Sequence, residues 1–191
     1  MERRPTRDIL HVMGQVASGD TLDVFVCHMP SRAGGEEKSE PYRLFTAQIL
    51  NIAADSIMNL RQHPNVMIMG DFNDYPTNNS IAKVLGAVAP KGEVQAKKLY
   101  NLMDGRKEGT YRYRGEWGVL DQLIVSGFLL QGHDSMRTSY DKAQILKYPF
   151  RTIHSSDSLR YRRAFHWNNC QSLYNTPDVT GHIPEKLDNS Y

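Results

Sequence analysis

Hydrophobic and polar positions first alternate at period two. Ile9 to Val16 reads as a strand, Ser18-Gly19-Asp20 supplies a hairpin turn, and Thr21 to His28 reads as a second strand. In the second strand Leu22, Val24 and Val26 alternate with Asp23, Phe25 and Cys27. Both of its faces are largely apolar after Asp23, so it is expected to be covered on both sides. Pro30 to Ser39, with Gly34-Gly35-Glu36-Glu37-Lys38, marks a surface loop.

The period then becomes helical. Ser39 is placed to cap, Pro41 suits a first turn, and Leu44, Ala47, Ile49, Leu50, Ala53, Ile57, Met58 and Leu60 recur at helical spacing. His63-Pro64 stops this helix, and Val66 to Met69 follows as a short buried strand. Strand, loop, helix, strand predicts an α/β (α+β) fold in which a long helix covers a sheet. Further on, the pattern predicts a helix over Ser80 to Val88, loop at Ala89 to Gly92 and a helical turn at Leu99 to Met103. Tyr111 to Tyr113 reads as extended, and Leu120 to Ser126 as a strand ended by Gly127. From His154 onward Arg160, Arg162 and Arg163 crowd together and alternation lapses. The chain is therefore divided into a domain over 1–150 and an irregular tail over 151–191.

Composition narrows the classes. With 191 residues, 40% hydrophobic and 23% charged, the chain fits one folded domain rather than a disordered segment. A net charge of +2 does not announce a nucleic-acid binder. No apolar run has the length of a membrane span, and Met1-Glu-Arg-Arg-Pro5 does not resemble a signal peptide. The cytoplasm is the default expectation. The two cysteines, Cys27 and Cys170, have neither zinc-site nor redox spacing, and Cys27 is expected to be a small buried hydrophobe.

Chemistry gathers around His63-Pro-Asn-Val-Met-Ile-Met-Gly-Asp71-Phe-Asn73-Asp74. A carboxylate and a carboxamide two positions apart share one side if the strand continues past Gly70, with Phe72 opposite. Polar, metal-capable groups at a strand exit suit a catalytic corner. They equally suit the turn announced by Asp74-Tyr75-Pro76 and Asn78-Asn79, and this run alone leaves both readings open. The run also begins like a calcium loop, but Tyr75, Pro76 and Ala82 stand where a ligand, a glycine and the terminal glutamate belong, so an EF-hand is rejected. His28 ends its own strand, where a lone histidine is more often structural. Asp121 sits among Val119, Leu120, Leu123 and Ile124 and needs a partner, which Arg112, Arg114 or Trp117 could supply.

Taken together, three segments resemble the endonuclease/exonuclease/phosphatase superfamily of metal-dependent phosphoesterases, bacterial members especially. They are Val26-Cys27-His28-Met29-Pro30, Met69-Gly70-Asp71-Phe72-Asn73-Asp74 and Trp117-Gly118-Val119-Leu120-Asp121-Gln122-Leu123-Ile124-Val125. The resemblance spans roughly residues 5 to 150, and Gly-Asp-Phe-Asn is its most specific part. It implies a partial four-layer α/β/β/α sandwich of the deoxyribonuclease-like type. It further implies that Asp71 orients or deprotonates the attacking water and that Asn73 holds that water or a phosphate oxygen. His28 would donate to a non-bridging oxygen, and Asp121 would orient a second histidine. Mg²⁺ or Mn²⁺ would be the cofactor, with Asp71 and Asn73 as its ligands.

The chain departs from the superfamily pattern at both ends. The leading strands that carry an Asn and a metal-gripping Glu have no counterpart, Glu2 having the wrong context. The closing Ser-Asp-His element is replaced by Ser156-Asp157-Ser158-Leu159, and neither His154 nor His166 has the right neighbours. A truncated or frame-shifted phosphoesterase domain is therefore expected, of a kind that hydrolyses phosphodiesters or phosphomonoesters with an activated water, but lacking two elements on which that activity depends. The alternative is a non-catalytic remnant that binds a phosphorylated ligand or a protein partner. Alternating basic and aromatic residues at Tyr111, Arg112, Tyr113 and Arg114 admit a nucleic-acid partner, but a solvated strand face explains them as well.

Overall fold

The computed structural model describes residues 7–146 apart from 114 and 134. The expectations for Glu2, Arg114, His154, Asp157, His166, Cys170 and the tail lie outside the described residues. Strands β1 (Leu10–Gln15) and β2 (Thr21–His28) form the anticipated antiparallel hairpin. Its turn is closed by hydrogen bonds from Val16 N to Asp20 O at 2.9 Å and from Gly19 N to Val16 O at 2.9 Å. Helix α1 (Glu36–Leu60) then crosses to β3 (Val66–Asp71), which lies parallel to β2. After β4 (Leu99–Asn101), β5 (Tyr111–Tyr113) and β6 (Glu116–Gly118) comes β7 (Asp121–Ser126), antiparallel to β3, followed by α2 (Gly127–Gln131). Five strands share one mixed sheet in the order β1-β2-β3-β7-β4, while β5 and β6 pair separately. The mixed helix and strand content agrees with the α+β expectation.

Two apolar clusters sandwich the sheet. On one face Phe25, Cys27, Ile68 and Ile124 pack against Ala47, Leu50, Ala54 and Met58 of α1. On the other, Met67, Leu123 and Val125 meet Leu102, Leu129 and Met136. The expectation for β2 needs correction here. Asp23, Phe25 and Cys27 are buried under α1, but Leu22 and Val24 are only half-buried and Val26 is exposed. Asp23 tolerates burial because His11 Nε2 lies 2.9 Å and Arg61 Nε 3.0 Å from its carboxylate.

Helix α1 starts earlier than Ser39. Its first residue is Glu36, so Pro41 lies inside the helix and Ser39 does not cap it. The Ser39 hydroxyl donates instead to the carbonyls of Gly35 (2.7 Å) and Glu36 (3.0 Å), which steadies the first turn ahead of the proline. The buried stripe runs through Arg43, Ala47, Leu50, Ala54 and Met58, leaving Ile49 and Leu60 exposed despite their apolar character. Ser80–Leu85 is a single π-helical turn, shorter than anticipated, because Gly86 turns left-handed at φ 71°. Leu99 to Met103 is not a helical turn. Leu99–Asn101 pairs with Ile124–Ser126, since the buried faces of Leu99 and Tyr100 are satisfied on the sheet edge and Asn101 Nδ2 donates to Gln122 Oε1 at 2.9 Å.

Candidate active site

Parallel β2 and β3 end side by side, and antiparallel β7 begins where they end. In register, His28 faces Asp71 and Asp71 faces Asp121. Residues directly opposite each other point to the same face of a sheet. The same face carries Met67, Met69, Leu123 and Val125, so the three polar side chains form a row beyond the edge of the second apolar cluster. His28 Nε2 lies 3.4 Å from Asp71 Oδ2, longer than the about 2.7–2.9 Å of a charge-assisted hydrogen bond. His28 is half-buried and Asp71 buried.

The strand does not continue to Asn73. Gly70 adopts φ 133°, and a Cβ built on it would stand 1.9 Å from the Cys27 carbonyl oxygen, so β3 approaches β2 closely just before the corner. Asp71 Oδ1 then accepts a hydrogen bond from Asn73 N at 2.9 Å, forming an Asx turn, and Asn73 is left-handed at φ 51°. Asn73 Nδ2 donates to the Met29 carbonyl at 2.9 Å, and Met29 N donates to the Asp71 carbonyl at 2.8 Å. Period-two alternation therefore does not govern Asn73: a turn does. Phe72 is buried in the cluster beneath α1, and its N–H bonds the Leu120 carbonyl at 2.9 Å. The corner is at once a turn and a meeting point of chemically capable groups.

Behind it lies a buried polar network that the sequence reading missed. Asp74 pairs with Arg43 Nε at 2.8 Å, with Arg32 at 3.1 Å and with the Ser80 hydroxyl at 2.6 Å, and its carbonyl accepts from Gln122 Nε2 at 2.9 Å. Arg32 Nε also donates to the Asn73 carbonyl at 2.6 Å and another of its nitrogens to Asn78 Oδ1 at 3.1 Å. Arg32 thus ties the loop after β2 to the turn after β3, and it positions Asn73 through the backbone. One signal was legible: Arg43 falls on the buried stripe of α1, where a cation demands an anion.

Of the side-chain partners anticipated for Asp121, neither Arg112 nor Trp117 bonds it, and Arg114 lies outside the described residues. Among the described residues Asp121 Oδ2 is buried with no hydrogen-bond partner. Arg112 instead bonds the Gly115 carbonyl and lies over Trp117. Burial raises the Asp121 carboxyl above the ordinary range, and the Thr110 hydroxyl pulls in the opposite direction. Thr110 Oγ1 also accepts from the N–H groups of Leu120 (3.1 Å) and Asp121 (3.0 Å), fixing the start of β7. Cys27 behaves as anticipated, buried with its thiol pushed up to about 12.

Residues 2–165 match the sequence model of the endonuclease/exonuclease/phosphatase family. The chain belongs to this family. No curated protein matches it. Membership carries metal-dependent phosphoesterase chemistry in general and phosphate esters as the substrate class. No described helix is long and apolar enough to cross a membrane. Among the described residues no group of three or more His, Cys, Asp or Glu side chains is arranged to hold a metal ion. Mg²⁺ does not require such a cage, because one or two carboxylates with waters and substrate phosphate commonly suffice. The hard oxygens of Asp71, Asn73 and Asp121 Oδ2, the last without a partner among the described residues, fit that donor chemistry.

Proposed function

We propose that His28, Asp71, Asn73 and Asp121 form a phosphoesterase centre that cleaves phosphate esters with an activated water. The observation that carries this reading is the row His28, Asp71, Asp121 on one face of three adjacent strands, with Asn73 in the turn beside it. Asp71 orients the water and accepts its proton as the water oxygen bonds to phosphorus and the ester P–O bond breaks. Asn73 holds the water or a phosphate oxygen, and His28 donates to a non-bridging oxygen as negative charge builds there. Asp121 Oδ2 is suited to accept an imidazole N–H, the place the superfamily gives a second histidine; with Ser158 at that histidine's position in the sequence, the leaving oxygen takes its proton from solvent. Mg²⁺ or Mn²⁺ held by Asp71 and Asn73 supplies compensating charge at the phosphate when bound.

Hydrolysis of bis-p-nitrophenyl phosphate and p-nitrophenyl phosphate by the full chain with Mg²⁺ or Mn²⁺ tests the reading. The expected result is metal-dependent release of p-nitrophenol that Asp71→Ala abolishes. A rate no higher than that of Asp71→Ala overturns it. A second reading, a non-catalytic site that retains a phosphorylated ligand, draws support from Asp121 Oδ2, which has no partner among the described residues, and from the Ser158 that stands where the superfamily has its closing histidine. Phosphate binding without turnover would favour that second reading.

A further inference from the structure

Beside the proposed centre lies a cavity of about 390 Å³ whose wall is unusually aromatic. Tyr75, Tyr111, Tyr113 and Trp117 line it together with Arg32, and Asn73 joins it to the row of site residues. Tyr75, Tyr113 and Trp117 are 41%, 49% and 43% exposed, a concentration of large apolar surface that a lone folded domain gains nothing by displaying in one place. Two of the rings are held by guanidinium groups rather than loose. The Arg32 guanidinium sits 4.9 Å from the Tyr75 ring centre and Arg112 sits 5.9 Å from that of Trp117. Gly118 leaves room for Tyr75, since a Cβ there would lie 2.7 Å from the Tyr75 hydroxyl.

From this arrangement we infer that the cavity is a leaving-group subsite that stacks one flat, uncharged ring system of nucleobase size, so that the ester cleaved is of the mononucleotide type. Aromatic faces hold flat rings by stacking, with little regard to which base is offered. Two of the rings already carry a guanidinium, which argues against a cationic headgroup as the occupant. Glu116 also lines the cavity, and the chain is only +2 overall, so a long polyanion is not the partner that fits. The volume is that of a small-ligand site rather than of a groove for a duplex. The leaving-group role rests on the phosphoesterase reading; the ring-binding property does not.

Trp117 and Trp167 are the two tryptophans, so Trp117 fluorescence can be read alone in the Trp167→Phe chain. Titration without metal uses adenosine, glycerol 2-phosphate and a decathymidylate as probes. Adenosine is expected to quench Trp117 saturably and glycerol 2-phosphate is not. Tyr113→Ala and Tyr75→Ala, checked for native circular dichroism, should each weaken adenosine binding by about ten-fold or more. Gly118→Ala should do the same by displacing Tyr75. Absence of quenching by adenosine overturns the inference, as does quenching that neither tyrosine variant weakens. Decathymidylate binding far tighter than adenosine and steeply salt-dependent overturns the mononucleotide assignment. Because adenosine binding requires neither metal nor turnover, Asp71→Ala should retain it, and failure of the catalytic reading leaves this result intact.

Discussion

Asp71 and Asp121 stand directly opposite one another, the last residue of β3 and the first of β7, as two buried carboxylates on one face of the sheet. Their surroundings differ. Asp71 accepts from Asn73 N and neighbours His28, whereas Asp121 Oδ2 has no partner among the described residues. Burial accordingly raises the Asp121 carboxyl above its unfolded value. In the window between those two values the folded chain binds more protons than the unfolded one, so this group makes stability fall as pH rises. Above the folded value the loss is complete and flat. In EDTA-treated protein, Asp121→Asn should remove that falling limb and melt no lower than the parent at neutral pH. Urea midpoints measured from pH 4 to 8 check it; a parent-like slope in Asp121→Asn would sink the assignment.

Gly70 is the tightest point of the site. With φ 133° and a Cβ position 1.9 Å from the Cys27 carbonyl oxygen, no side chain fits without parting β2 from β3. Gly70→Ala should cost at least about 3 kcal/mol, combining backbone strain with overpacking. The same shift would move His28 away from Asp71, so activity should fall more steeply than the folded fraction. Chemical denaturation alongside turnover per folded molecule separates the two effects.

The order of the elements was legible because strands β2, β3 and β7 announce themselves by apolar runs ended by polar residues, and α1 by its length. The start of α1 was not, since a proline and a serine that favour a first turn are outweighed by Arg43 and Ser39 bonding the Glu36 carbonyl one turn earlier. Leu99 to Met103 was misread because three residues carry too little periodicity, and only pairing with β7 makes them a strand. In the candidate site, His28, Asp71 and Asp121 could be singled out because each is polar at the margin of an apolar strand. Arg32 and Asp74 could not, because their partners come from 4 to 48 positions away and no local pattern links them.

Cys27 offers a test of how tightly β2 is sealed beneath α1. Its thiol is buried among apolar side chains and pushed up to about 12, so at pH 8 only about one molecule in ten thousand carries the reactive thiolate. In a Cys170→Ser chain, a disulfide reagent should release almost no chromophore over an hour and one equivalent once guanidinium unfolds the protein. Prompt reaction of the native chain would show that the strand opens locally.

Arg43 and Asp74 supply the last prediction. Both are buried, 2.8 Å apart, and the carboxylate is shared with Arg32 and Ser80. Removing one member strands a buried charge, and such losses run to about 3–5 kcal/mol. Arg43→Met should fall near the lower end, because Arg32 and Ser80 still face Asp74. Asp74→Asn should cost a similar amount by leaving Arg43 without its anion. The double variant Arg43→Met/Asp74→Asn should lose less than the sum of the two, since no uncompensated charge remains at that contact. Denaturant unfolding of the four chains measures the coupling; strict additivity would mean that the pair contributes no interaction of its own. Turnover should fall in Asp74→Asn even where the chain remains folded, because Arg32 holds both Asp74 and the Asn73 carbonyl and loses the Asp74 carboxylate as an anchor at the candidate turn.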